Sequence, residues 1–218
     1  MVTDDVKKGT TTVGIVADNS VIMASEHRAT MGNVIAHKKV RKVFKIDDNI
    51  ALTTAGLVGD AQILARVIKA EVELYKLKRG SPMTVKAAST LLSNILRGGG
   101  GAAGFYMVGL IMGGVDPSGG HVYGVDAAGG SIRDDYISVG SGSLFAYGVL
   151  EDHYKEDINE DQGVNLAIRA LTAAMKRDSA SGNGITVAVI NKDGHRELSE
   201  EELKERIEDM GLDFPKTD

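Results

Sequence analysis

In the strand-like run Val40–Ile46, alternation places Val40, Lys42, Phe44 and Ile46 on one face and Arg41, Val43 and Lys45 on the other. Lys42 is thereby the one charge on an otherwise apolar face. An edge-strand lysine whose stem lies along apolar surface while its head reaches water accounts for this. So does a lysine held partly out of water beside a carboxylate. In that case burial lowers its pKa, the carboxylate raises it, and the candidate partner is Glu26 on the preceding strand pair. Taken alone, Glu26 reads as a solvated strand charge. A third residue, Thr10, follows Gly9 at the head of a β-branched run, Lys8-Gly9-Thr10-Thr11-Thr12, which by itself is a flexible lead-in to an ordinary strand. A hydroxyl, a lysine and a carboxylate are residue types of nucleophilic chemistry, but their spacing does not bring them together.

Other chemistries have less support. The chain has no cysteine, which removes disulfides, thiolate nucleophiles and thiolate metal sites together. None of the five histidines (His27, His37, His121, His153, His195) has the i, i+4 helical spacing of a zinc site, so neither a metal nor a cofactor is expected. No Gly-x-Ser-x-Gly elbow occurs. Gly140-Ser141-Gly142-Ser143 precedes a helical pattern and offers a weak anion-cradle signal. A net charge of −5 argues against general nucleic-acid binding, and the absence of Trp argues against base-stacking platforms. No apolar run has the length of a membrane span, and Met1–Gly9 lacks the apolar core of a signal peptide, so a cytoplasmic location is expected.

The elements that must carry these residues read as one domain of 218 residues with alternating strand and helix blocks. Thr10–Ala17 and Ser20–Thr30 flank the turn Asp18-Asn19. Val40–Ile46 and Ile50–Thr54 flank Asp47-Asp48-Asn49. Helical spacing follows over 58–79. Gly80 is placed to end that helix, Ser81 to cap the next and Pro82 to open it, with Val85, Ala88, Leu92 and Ile95 on one face up to Gly98. Gly98–Gly104 reads as a flexible loop. Strands are expected at Met107–Val115, His121–Asp126 and Ile132–Val139, helices at 143–154 and 161–177, a strand at Ile185–Ile190 turning at Asp193-Gly194, and a helix over 200–210 opened by the capping box Ser199-x-x-Glu202. Helix pairs between strand blocks predict an α+β fold, a four-layer αββα sandwich of two antiparallel sheets flanked by helix pairs. The 27 glycines exceed the usual share of about 7% and predict many tight turns or close backbone approaches.

Six segments in order, spread nearly from end to end, resemble the archaeal-type proteasome β subunits, threonine proteases of the N-terminal nucleophile class. They are GTTTVGI (Gly9–Ile15), VIMASEHRAT (Val21–Thr30), KVRKVFKID around Lys42, TTAGLVGDAQ (Thr53–Gln62), GSGS (Gly140–Ser143) and RDSASG (Arg177–Gly182). The resemblance implies that Met1–Gly9 is a propeptide and that 10–218 is the mature domain. Thr10 is then the nucleophile, released by autocatalytic cleavage after Gly9, with its freed α-amino group as base. A glycine before Thr10 suits that cleavage, because a residue without Cβ allows the tight conformation in which Oγ reaches the preceding carbonyl. By the same resemblance Lys42 stays cationic beside Thr10, paired with Glu26, and Ser141, Asp178 and Ser181 complete the hydrogen-bond network. The Gly56 N–H serves as oxyanion donor. Thr30, Gly56 and Val58 hold the substrate as an added strand, while Ala29, Val40, Thr54 and Val58 shape a specificity pocket that suits cleavage after apolar residues. The implied partners are proteasome α subunits, further β subunits in seven-membered rings, a regulatory ATPase and unfolded protein substrates. Gly98–Gly104 departs from the family pattern, where bulkier residues are usual. The bacterial HslV peptidase shares the Thr-Thr start and the lysine, but AGLVGDAQ and RDSASG fit the archaeal β subunits better. A catalytically silent ring subunit and a small-molecule amidohydrolase of the same nucleophile class also compete. A structural α subunit is disfavoured, because nine residues leave no room for its N-terminal helix.

Overall fold

The structure, a computed structural model, describes residues 9–101 and 104–215. Most of the expected leader (Met1–Lys8) and two residues of the glycine loop (Ala102, Ala103) lie outside the described residues. The chain forms a mixed α/β fold whose sheets are antiparallel. Twelve strands and five helices are described: β1 (Thr12–Ala17), β2 (Ser20–Glu26), β3 (Ala29–Met31), β4 (Val34–His37), β5 (Val43–Asp47), β6 (Ile50–Gly56), α1 (Val58–Arg79), α2 (Val85–Arg97), β7 (Val108–Asp116), β8 (Gly119–Val125), β9 (Ser131–Asp134), β10 (Tyr136–Val139), α3 (Ser143–His153), α4 (Glu160–Arg177), β11 (Ile185–Asn191), β12 (Gly194–Glu197) and α5 (Glu200–Asp209). One sheet runs β10-β1-β2-β11-β12 and another β5-β6-β7-β8-β9, with β3-β4 as a separate hairpin.

Central strands are buried on both faces, and the two-residue period sorts their side chains between two cores. In β2, Ile22 and Ala24 join the cluster shared with α3 and α4, whereas Val21 and Met23 join residues of the other sheet. In β6, Ile50 and Leu52 pack with α1 and α2, while Ala51 faces the first sheet's side chains. The two sheets thus meet through Val21, Met23, Val43, Ala51, Ile111, Val122, Ile137, Ala188 and Ile190. Their approach is close enough to require glycine. A Cβ on Gly14 would lie 2.9 Å from both Ile111 Cγ2 and Val122 Cγ1, and one on Gly113 would lie 2.4 Å from Met23 Sδ. Part of the glycine surplus therefore serves close approach between sheets rather than turns.

Several element boundaries differ from those expected. Ser20–Thr30 is not one strand: β2 ends at Glu26, whose carboxylate takes the Arg28 N–H at 2.6 Å and turns the chain into β3. Ile132–Val139 is two strands in different sheets, β9 against β8 and β10 against β1, divided at Asp135, whose carbonyl accepts the Val16 N–H at 2.7 Å. Ser81 and Pro82 neither cap nor open α2. Thr84 is its N-cap, extended (φ −72°, ψ 153°) with its side chain accepting from Ala87 N, and Met83 just before it is buried in the second core. Gly80 does end α1, in the left-handed conformation (φ 68°), and Ser199 with Glu202 forms the capping box of α5.

Candidate active site

Glu26 ends β2 with no exposed surface, and burial of a carboxylate demands compensation. Four donors supply it. Lys42 Nζ and Thr11 N (3.2 Å) reach Oε1, while Arg28 N (2.6 Å) and Gly182 N (3.0 Å) reach Oε2. Lys42, itself 5% exposed, also donates to the Arg28 carbonyl oxygen at 2.6 Å. It sits one residue ahead of β5, its backbone fixed by the Thr54 N–H donating to its carbonyl at 3.0 Å. Lys42 is thus the lysine held out of water beside a carboxylate, not the snorkelling edge lysine, although it precedes the strand that the alternation assigned it to. Burial pushes the Glu26 carboxyl up, against the opposing pull of Lys42 and the backbone donors. Burial pushes Lys42 down, opposed by Glu26. A carboxyl with four donors aimed at two oxygens has no use for a proton of its own, so the geometry favours the ionised pair.

Thr10 lies beside this pair, 4% exposed. Its N–H donates to Ser141 Oγ (3.2 Å), its carbonyl accepts from Gly142 N (3.3 Å), and its hydroxyl donates to the Gly9 carbonyl oxygen at 2.6 Å. Ser141 Oγ and Ser181 Oγ both donate to Asp178 Oδ2, at 2.5 and 2.7 Å. With the Ser181 proton so used, Thr11 is the donor in its 2.7 Å contact with Ser181. Glycines allow this crowding. A Cβ on Gly140 (φ 114°) would lie 2.0 Å from the Thr10 carbonyl oxygen, and one on Gly142 would lie 2.1 Å from Thr11 Oγ1. Gly140–Ser143 is therefore no anion cradle: it packs against the Thr10–Thr11 backbone and spends its Gly142 N–H there. Gly9 has a distinct constraint, since a Cβ there would fall 1.6 Å from Ala180 Cβ.

A cavity of about 260 Å³ opens beside Thr10. All six residues assigned to substrate, Ala29, Thr30, Val40, Thr54, Gly56 and Val58, line it, together with Gly9, Thr10 and Lys42. Glu26, Ser141, Asp178 and Ser181 stand behind it, linked to Thr10 and Lys42 by the bonds given above. Arg41 and Phe44 add to the lining. Sequence reasoning gave no role to Thr11, Gly182, Arg28 or Asn183. Arg28 Nε donates to Asn183 Oδ1 (2.7 Å) and Nη1 to the Ser179 carbonyl (2.8 Å). Both partners lie more than 150 positions away in sequence, so only the fold reveals the contact. Among the described residues there is no group of three or more His, Cys, Asp or Glu placed to hold a metal ion, and no helix long and apolar enough to cross a membrane.

Comparison with known proteins identifies the family. The family described as "Proteasome subunit" matches residues 6–190. The chain is 55% identical over 199 residues to the proteasome subunit beta of Methanosphaerula palustris, covering 91% of this chain and 93% of the relative. It is 51% identical to that of Ferroglobus placidus, covering 96% of this chain and 100% of the relative. To that of Thermoplasma acidophilum it is 52% identical, covering 94% and 96%.

Proposed function

Because the chain belongs to the proteasome subunit family as a β subunit of the core particle, we propose that it is a threonine endopeptidase whose nucleophile, Thr10, is freed when the chain cuts its own Gly9–Thr10 bond. One observation carries this reading above the rest. Gly9, Thr10 and the buried Lys42 line a single cavity, and within it the Thr10 hydroxyl donates to the Gly9 carbonyl oxygen at 2.6 Å.

While residues 1–9 are attached, Thr10 N is an amide and cannot act as a base. In self-cleavage, Thr10 Oγ adds to the Gly9 carbonyl carbon and the peptide nitrogen leaves with a proton. Gly9 is then held as an ester on Oγ, and water hydrolyses that ester, releasing 1–9. The new α-amino group has an ordinary pKa of about 7.7–8.0, low enough to accept the Oγ proton near neutrality. Lys42 has no need to be that base. Its positive charge lowers the cost of an alkoxide-like Oγ and disfavours a second cation on the amine; at about 4 Å and an effective dielectric near 20 such a charge contributes a few kcal/mol. Asp178, Ser181 and Ser141 orient the Thr10 nitrogen. Each turnover repeats the pattern on substrate: Oγ adds to the scissile carbonyl, the oxyanion faces the Gly56 N–H, the amine product leaves with the proton, and water frees the acyl group.

Thr30, Gly56 and Val58 receive the peptide as an added strand. The Gly9 N–H donates to Thr30 Oγ1 at 3.4 Å, so the leader's own last residue occupies part of that path. The Ala29, Val40, Phe44 and Val58 lining supports a chymotrypsin-like preference for apolar residues. The fold is then the four-layer αββα sandwich of N-terminal nucleophile hydrolases, 10–218 forming one domain. The subunit assembles within the core particle. Seven-membered β rings stacked between α rings, an ATPase that feeds unfolded protein and a cytoplasmic setting complete the reading. The experiment is peptide hydrolysis by the purified assembly, wild type against Thr10→Ala. Loss of turnover in the variant is expected, whereas retained hydrolysis rejects the mechanism, and an inactive wild type would favour a silent ring subunit.

A further inference from the structure

Arg28 contacts the Glu26–Lys42 pair through its backbone and a distant loop through its side chain. Its N–H donates to Glu26 Oε2 at 2.6 Å, and its carbonyl accepts from Lys42 Nζ at 2.6 Å. Its guanidinium spans the loop 178–184, with Nε on Asn183 Oδ1 (2.7 Å) and Nη1 on the Ser179 carbonyl (2.8 Å). The fit is tight, because a Cβ on Gly182 would lie 2.4 Å from Nη2. That loop carries Asp178 and Ser181 and returns the Gly182 N–H to Glu26. Asn183 holds a left-handed backbone (φ 63°), which a non-glycine residue keeps only when its surroundings fix it. His27, next to Arg28, ties the other side of the loop: its N–H donates to the Gly182 and Gly184 carbonyls, and its Nε2 meets Thr186 Oγ1 at 2.7 Å.

We propose that Arg28 is a positioning residue, a clamp that locks the Asp178–Gly184 loop onto the Glu26–Lys42 pair so that Thr10 and Lys42 hold one geometry. Arg28 does not line the cavity, so it acts through its neighbours rather than on substrate. A guanidinium suits this task where an ammonium does not: its planar fork reaches two acceptors in fixed directions, whereas lysine offers a single point charge. The proposal rests on the peptidase reading above.

The test is steady-state peptide hydrolysis by the processed assembly carrying Arg28→Met, Arg28→Lys, Asn183→Gly, or Arg28→Met with Asn183→Gly. Asn183→Gly removes the amide and keeps the left-handed backbone without strain. Loosening of order 1 Å is expected to lower kcat by about 100-fold in Arg28→Met, with KM within about twofold of wild type. Arg28→Lys should recover little of this, and the double variant should fall short of the product of the single effects, because the two residues share one bond. The alkaline limb of the kcat profile separates charge from positioning. Burial and then Glu26 dominate the Lys42 environment, and the Arg28 charge adds a smaller downward push. Arg28→Met should therefore move the limb upward, and Arg28→Lys should leave it in place while kcat stays low. Full recovery of kcat in Arg28→Lys overturns the clamp, since charge alone then suffices. Wild-type kcat in Asn183→Gly, or raised KM at unchanged kcat, also overturns it. If Arg28→Met does not assemble, Arg28→Lys and Asn183→Gly decide the matter by the same criteria. Thr10→Ala run alongside keeps the two ideas apart: activity in that variant rejects the peptidase reading, whereas its loss beside an indifferent Arg28 rejects only the clamp.

Discussion

Lys42 and Glu26 depend on each other for their burial. Glu26→Gln would leave the Lys42 ammonium without a charged partner at 5% exposure, a change that typically costs about 3–5 kcal/mol. For a chain of this size that corresponds to a fall of roughly 6–20 °C in melting temperature, read by calorimetry. On the proposed mechanism, Lys42→Ala removes the cation that would stabilise developing charge on Thr10 Oγ, and kcat should drop by about 100- to 1,000-fold. The pH profile follows from the same residues. If the freed Thr10 amine is the base, activity should fall on the acid side as that amine takes a proton. On the alkaline side it should fall as Lys42 loses one, and because burial lowers that pKa the alkaline limb should lie below the ordinary lysine value of about 10.4. Gly9 belongs to this scale as well. Conformational freedom is the reason the sequence suggests for a glycine there, but the structure adds a steric one, the side chain of Ala180. Gly9→Ala should slow release of the leader, measured as the half-time of processing by mass spectrometry.

The elements show how far the sequence carried. Lys42 was legible because alternation isolates one charge among apolar neighbours, and that logic survived even though the residue precedes β5. The helices were legible from their apolar spacing and, for α5, from a capping box read directly in the letters. The split of Ile132–Val139 between two sheets was not legible, because a strand that leaves one sheet for another keeps the same alternation. Nor could the donors to Glu26 be read, since Gly182 lies 156 positions away and contributes only a backbone N–H. The close approach of the sheets belongs here too. Gly14→Ala would force a Cβ to 2.9 Å from two side chains, so a destabilisation of about 1–3 kcal/mol is expected in denaturant unfolding. A neutral effect would show that the sheets can part without cost.

At the scale of the whole molecule, several large apolar side chains lie exposed. Leu144 is 79% exposed and Phe145 41%, adjacent in the first turn of α3; Leu77 is 77% exposed at the end of α1. Surfaces of this kind suit a subunit that assembles. Leu144→Glu should leave the fold of the isolated chain unchanged and shift native mass spectra from the full assembly toward smaller species; an unaltered assembly would remove Leu144 from any interface. On the proposed function, assembly matters to the chemistry because it would confine the peptidase, and self-cleavage would delay activity until the leader is gone.

The most direct test of that delay is the intact mass of the subunit in an assembly that is hydrolysing peptide. The predicted result is a chain that begins at Thr10, with residues 1–9 absent in wild type and retained in Thr10→Ala. An active assembly whose subunits all still carry Gly9 on Thr10 would contradict the account, because the proposed base would then not exist.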